Sequence, residues 1–289
     1  MSLDGAQPIV VIGSLNLDLI VRVERLPGPG ETVAGGDLIR LPGGKGANQA
    51  VAAARLGGKV SFVGCVGEDA FGASLIDHLK GEGIDTTHVH RVPGVATGTA
   101  SILVDAGGEN SIAVSPGANG RVTARHLELA APLIREAGVI VLQNEIPLSI
   151  PLELARQWPD GQGPRILMNP APAVVLPSDL RRRLDLLVVN EHEAGVVGES
   201  DPGTVGLEEQ AMALARRGPG AVIVTRGERG ALLADSERCE AFPAVRQTTV
   251  VDSTGAGDVF CGALAVGVAE DHPLKEWVPF ANAAASLSV

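Results

Sequence analysis

The stretch DSTGAGD, residues 252–258, packs two acids, two small hydroxyls and two glycines into seven residues. An apolar run, VFCGALAVGVA, follows at once. Read as a helix beginning near Ala256–Gly257, this run has first-turn N–H groups with no partner inside the helix. Glycine lets a ligand approach them closely, and the helix dipole adds partial positive charge there. The chemistry on offer is an anion hole for a phosphate or a developing phosphoryl charge. Asp258, in the first turn, is favoured by the dipole as a carboxylate and could take a proton from a hydroxyl nucleophile. It could equally do no more than favour the helix start, and the heptapeptide alone leaves both readings open.

A second glycine turn, PGGKGANQAVAAARLGG at 42–58, also feeds a helix. It lacks the GxxxxGK[ST] spacing of a P-loop and does not fit GxGxxG after a first strand. Close backbone approach with Lys45 and Asn48 suits a polyhydroxylated ligand. A tight turn with a polar N-terminal cap is the plainer alternative.

The elements that must position these residues are legible as apolar runs. IVVIG (9–13), VSFVGCV (60–66), VIVLQ (139–143), RILMN (165–169), LLVVN (186–190) and AVIVT (221–225) are apolar on both faces, as buried parallel strands are. Helical segments at 47–58, 71–83, 123–138 and 206–218 alternate with them, which predicts a doubly wound, mostly parallel α/β sheet flanked by helices. Residues 14–42 and 88–115 read instead as antiparallel strands and hairpins, the second turning at AGGEN, and predict a small β lid inserted in one domain spanning 1–289. Ligands of such sheets sit beyond the carboxyl ends of the strands. Nearly every strand here ends in Asn, Asp, Glu or Thr, so a polar crevice is expected there.

Composition narrows the function. Aromatics make up 2% of the chain and Tyr is absent, which argues against base-stacking nucleic-acid modules. The net charge of −11 repels a phosphate backbone, so any phosphorylated ligand must be held by local donors and a few cations. Cys65, Cys239 and Cys261 form no CxxC and read as small core residues of a reducing compartment. The N-terminus has no signal-peptide pattern and no segment has the length of a membrane span, so a cytoplasmic location is expected. The six histidines read as surface or structural.

With both glycine clusters in this order, about 210 residues apart, the sequence resembles the PfkB (ribokinase-like) family of carbohydrate kinases from about Val10 to Val289. GSLNLDLIV, NPAPA, NEHEA, TRGERG and DSTGAGDVFCGAL are similar to further family blocks. The NLD, GGKGAN and NPAPA blocks are most similar to the ribose-phosphorylating members. The resemblance implies transfer of the ATP γ-phosphoryl group to the terminal hydroxyl of D-ribose. It implies Asp258 as base, and Gly255, Ala256 and Gly257 as the anion hole. It implies Asn16, Asp18, Gly44, Lys45, Asn48 and Glu145 as the sugar-binding set. Asn190, Thr225, Gly227, Gly257 and Asn282 fall at nucleotide contacts. Glu193 would organise Mg²⁺ through water, and Asp252 with the Thr254 carbonyl would hold an activating K⁺. A homodimer through the lid is expected on the same ground. Family members continue past the alanine-rich helix, whereas this chain stops at Val289; a tail beyond the given sequence is the expectation. Two rivals stay open: a sibling kinase for 2-deoxyribose, fructose or a nucleoside, and a non-catalytic sugar-binding protein.

Overall fold

A computed structural model of the protein describes residues 6–159, 162–199, 205–245 and 253–289. In chain order the first half comprises β1 (Ile9–Ile12), β2 (Asn16–Arg22), β3 (Ile39–Gly43), α1 (Lys45–Arg55), β4 (Val60–Gly67), α2 (Ala70–Gly81), β5 (Asp85–Val92), β6 (Gly98–Val104) and β7 (Asn110–Ser115). Next come α3 (Ala124–Leu129), α4 (Ala131–Glu136), β8 (Val139–Gln143), α5 (Ser149–Gln157), β9 (Arg165–Asn169), α6 (Ser178–Arg183), β10 (Leu186–Asn190) and α7 (Glu191–Gly198). The chain finishes with α8 (Leu207–Ala215), β11 (Ala221–Thr225), β12 (Ala231–Ala234), β13 (Cys239–Phe242), α9 (Ala256–Ala269) and α10 (Leu274–Leu287).

The six apolar runs form the centre of a nine-stranded sheet ordered β13-β12-β11-β10-β9-β8-β1-β4-β5. All pairings are parallel except β11–β12 and β12–β13 at one edge. Side chains alternate between faces, so β1 serves two cores. Ile9 and Val11 pack with α1, α2, α9 and α10, whereas Val10 and Ile12 pack with the helices from α3 to α8. This is the doubly wound layering that the strand and helix runs predict.

Four strands ordered β3-β2-β6-β7 make the second sheet. The expected lid is thus present, with two corrections. Its central pair β2–β6 is parallel, while β2–β3 and β6–β7 are antiparallel. The lid's second segment starts at Gly98, because β5 pairs with β4 and extends the large sheet. The helix predicted over 123–138 is broken at Ala130 into α3 and α4. Pro132 has no N–H for the Glu128 carbonyl, so the ladder cannot run through.

The lid joins the body at four places: residues 13–15, Gly44, residues 93–97 and Pro116. Two of these are pinned by side chains. Asn119 accepts from the Leu15 N–H at 2.9 Å and donates to the Leu15 carbonyl at 3.1 Å and to Asn16 Oδ1 at 2.8 Å. Asp69 accepts from the Thr97 N–H at 2.8 Å and hydroxyl at 2.6 Å. On one lid face Ile39, Ile20, Ile102 and Ile112 stand in a row, and Leu41, Asp18, Ala100 and Val114 form the next. Ile39, Leu41, Ile112 and Val114 in these rows are exposed.

Candidate active site

Gly44 follows the lid strand β3 and caps α1. Its φ of 91° and the Asn16 N–H, 2.8 Å from where a Cβ would stand, admit only glycine. The turn therefore brings Lys45 and Asn48 of α1 against Asn16 of β2. Opposite, Glu145 follows β8 and faces the start of α1. Its Oε2 accepts from Ser14 Oγ at 2.5 Å and from the Lys45 N–H at 3.0 Å. The Ser14 hydroxyl in turn accepts from the Gly46 N–H at 3.2 Å. A carboxylate at a helix N-terminus is electrostatically favoured. Asp18 lies beside Gly43 and near Glu145. Burial, reinforced by the Glu145 charge, pushes its carboxyl up to about 6.

Asp258 arrives from the other direction, on α9. Helices α1 and α9 touch closely: a Cβ at Gly262 would stand 2.6 Å from the Ala52 Cβ and 2.8 Å from the Gln49 carbonyl. That approach sets Asp258 against α1. Its Oδ2 accepts from Asn48 Nδ2 at 3.1 Å and its Oδ1 from Gln49 Nε2 at 3.0 Å. The carboxyl is buried, which raises its pKa; Lys45 and the two amides pull it back, and Glu145 adds to the rise. The helix dipole expected to keep Asp258 ionised thus works against a desolvated setting. Gly255 caps α9 with φ 80°, and the Ala256 N–H already reaches the Ser253 carbonyl at 3.3 Å.

Two cavities meet beside this helix start. The inner, about 120 Å³, is lined by Lys45, Asn190, Glu193, Gly255 and Asp258 among others. The outer, about 810 Å³, includes Gly227, Ala256 and Asn282, and Thr225 and Gly257 border both. A volume of that order accepts a molecule the size of a nucleotide. Asn190 and Glu193 cap α7 reciprocally: Asn190 Oδ1 accepts from the Glu193 N–H and Glu193 Oε2 from the Asn190 N–H, both at 2.8 Å. Asn282 is buried, and its Nδ2 donates to the Phe242 and Pro243 carbonyls at 3.3 and 3.2 Å. Most of the nominated residues thus converge, with Asn16, Asp18, Gly44, Asn48 and Glu145 on the lid side of Lys45 and Asp258, and Asn190, Glu193, Thr225, Gly227, Gly255, Ala256, Gly257 and Asn282 along the cavities. Thr254 sits in the exposed turn before α9. Asp252 lies outside the described residues. Among the described residues no cluster of three or more His, Cys, Asp and Glu side chains could by itself hold a metal. Cys65 and Cys261 are core residues as read; Cys239 is only half-buried.

Sequence reasoning missed Gln49, Gln143 and Asn119. Gln49 and Gln143 are fully buried and bonded to each other at 2.7 Å. For the two glutamines the one signal was a polar residue inside or closing an apolar run; Asn119, in the turn PGANGR, had none.

The pfkB family carbohydrate kinase model matches residues 6–289. The ribokinase of Schizosaccharomyces pombe is 39% identical over 97% of this chain and 91% of its own length. The deoxyribokinase of Salmonella typhi is 38% identical over 89% of this chain and 84% of its own. The solved Arabidopsis thaliana ribokinase, complexed with ribose and ATP, superposes with a TM-score of 0.87 at 34% identity, covering 98% of this chain and 92% of that one.

Proposed function

This chain belongs to the pfkB family of carbohydrate kinases, and from that premise we propose that it transfers the γ-phosphoryl group of ATP to the 5-hydroxyl of D-ribose, all 289 residues serving one kinase unit. The observation that carries this reading is the position of Asp258. Its carboxylate lines the inner cavity at the start of α9 and is bonded to Asn48 on the sugar side.

The sugar lies between the lid and α1. Asn16, Asp18, Asn48 and Glu145 pair with its hydroxyls as donors or acceptors, and Gly44 lets it approach the backbone. The proton of the 5-hydroxyl passes to Asp258 as the oxygen bonds to the γ-phosphorus and ADP leaves. Lys45 and the N–H groups of Gly255, Ala256 and Gly257 meet the charge spread over the transferred group. The nucleotide runs outward past Thr225, Asn190 and Gly227 toward Asn282. Closure of the lid excludes water, so that ATP is not hydrolysed instead.

The donor set at the inner cavity fits Mg²⁺ held through water. One Glu193 oxygen is committed to the cap and the other is not, and an acidic oxygen on a rigid helix start suits a hydrated hard cation. Bound there, Mg²⁺ neutralises phosphate charge. For K⁺ the reading rests on the Thr254 carbonyl and on Asp252. A homodimer through the lid is supported by its exposed apolar rows, which water leaves uncovered at a cost. A cytoplasmic setting agrees with the three unpaired cysteines.

The similarity to a deoxyribokinase keeps 2-deoxyribose as a second reading of the same site. The test is ATP-dependent phosphorylation of ribose, 2-deoxyribose, fructose and adenosine, each with and without K⁺. Preference for ribose with K⁺ activation is expected. A different preferred sugar overturns the substrate, and no turnover on any of them favours a sugar-binding protein.

A further inference from the structure

A chain of buried amides runs into Asp258. Gln143 closes β8 and Gln49 lies one turn into α1; neither side chain touches solvent. Gln143 Nε2 donates to Gln49 Oε1 at 2.7 Å, and Gln49 Nε2 donates to Asp258 Oδ1 at 3.0 Å. Gln49 Nε2 also reaches Asn169 Oδ1 at 3.3 Å, and Asn169 is held by the Val188 carbonyl at 2.9 Å. The chain therefore ties Asp258 to the ends of β8 and β9.

Its direction is not arbitrary. An ionised carboxylate only accepts, so Gln49 must turn its amide nitrogen to Asp258. That leaves Gln49 Oε1 to be satisfied by the nitrogen of Gln143. The Gln143 oxygen is then forced toward the Gly13 backbone, where among the described residues it is buried without a partner. An orphaned buried acceptor is unfavourable. It is the expected far end of a chain whose near end is fixed by a negative charge.

We propose that Gln49, oriented by Gln143, is a positioning residue for phosphoryl transfer: it binds Asp258 Oδ1, holds the carboxylate ionised, and leaves Oδ2, on the side of half-exposed Asn48, to take the proton of the sugar hydroxyl. The inference rests on Asp258 being the base. Other charges facing Asp258 are Lys45 on α1, Glu145 after β8 and Glu193 on α7, with the buried Cys261 thiol behind it. None of them supplies a fixed hydrogen bond to Oδ1. A hydrogen bond to a charged group is worth enough to move a carboxyl by about one to two pH units when lost.

The test compares Gln49→Met, Gln49→Glu, Gln143→Leu and Asp258→Asn with the parent protein, reading kcat and KM for ribose and ATP from pH 5 to 9 together with thermal melting. Gln49→Met should lower kcat by about 10- to 100-fold at pH 7 and move the acid limb of kcat/KM up by about one unit, with the ribose KM within about threefold. Gln49→Glu, although closer in shape, should be worse, because two carboxyls then share one site. Gln143→Leu should shift the limb in the same direction by less. A purely structural role would rank Glu as milder than Met and leave the acid limb in place; either result overturns the inference, as does unchanged kcat in a folded Gln49→Met. Should the Gln49 variants not fold, the limb in Gln143→Leu decides alone. Near-parental turnover in Asp258→Asn would instead overturn the base assignment on which the inference stands.

Discussion

Asp18 offers a test of the sugar site that needs no chemistry to occur. Its carboxyl is raised from 3.8 to about 6, first by burial and then by the Glu145 charge. A value above the ordinary one means that the folded protein carries the neutral acid below pH 6 and the carboxylate above it. An ionised carboxylate accepts from two hydroxyls, and the neutral acid accepts from fewer. If ribose binds the ionised form, its apparent Kd scales as one plus ten to the power of pKa minus pH, which gives a weakening of about tenfold between pH 7 and pH 5. Isothermal titration of ribose in the absence of ATP, from pH 5 to 8, measures this directly. Asp18→Asn should bind more weakly and lose the dependence. Glu145→Gln should move the midpoint down, since one cause of the rise is gone. A Kd constant within twofold from pH 7 to 5 would refute the assignment. Full pH dependence surviving in Asp18→Asn would place the titration elsewhere, Asp258 first. The same sign governs stability: the carboxylate is disfavoured in the fold, so Asp18→Asn should raise the melting temperature at pH 8 more than at pH 4.5.

Glu193→Gln separates two roles of one side chain, because glutamine also closes a capping box. Its melting should stay within about 0.5 kcal/mol of the parent, while the Mg²⁺ needed for half-maximal rate rises; loss of stability without a change in Mg²⁺ demand would leave Glu193 a cap only. Gly44→Ala meets the Asn16 N–H and a left-handed φ at once, so it should cost about 1–3 kcal/mol in chemical denaturation and raise the ribose KM. An unaltered KM would detach that turn from the sugar. Ile112→Arg combined with Val114→Arg should convert a dimer to a monomer in light scattering. An unchanged mass would move the contact off the lid.

Much of this fold is legible in the sequence, for a specific reason. A parallel strand covered on both faces has no polar side to show, and runs such as IVVI at 9–12 have one environment only. Half-covered strands are less decisive. DTTHVHRV carries only Val89 and Val92 among polar residues, and so polar a strand suits the edge of the large sheet as well as the lid, so residues 88–92 read as lid although β5 pairs with β4. The hairpin β12–β13, with four residues in each strand, is too short to carry a pattern of its own. At the site, residues next to glycine turns declared themselves, since turn and polar side chain share one stretch of sequence. Gln49 and Gln143 did not. Their meaning lies in contacts across 94 residues to each other and 209 to Asp258, and nothing local marks the partner. Asn119 was hidden likewise, 103 residues from Asn16.

The four crossings between lid and body have a mechanical consequence. Two of them are pinned, by Asn119 at residues 15–16 and by Asp69 at Thr97. They set a fulcrum, and Asn16 and Gly44 stand on it. Strand β2 is the lever arm: six steps at about 3.3 Å put Arg22 about 20 Å out, so a 10° swing carries that end about 3.5 Å while Asn16 stays nearly at rest. Contacts at the fulcrum keep their lengths at every angle of the arm. A ligand held by Asn16 and Gly44 would keep those contacts with the lid open, while Asp18, two steps along the arm, would shift by about 1 Å in the same swing.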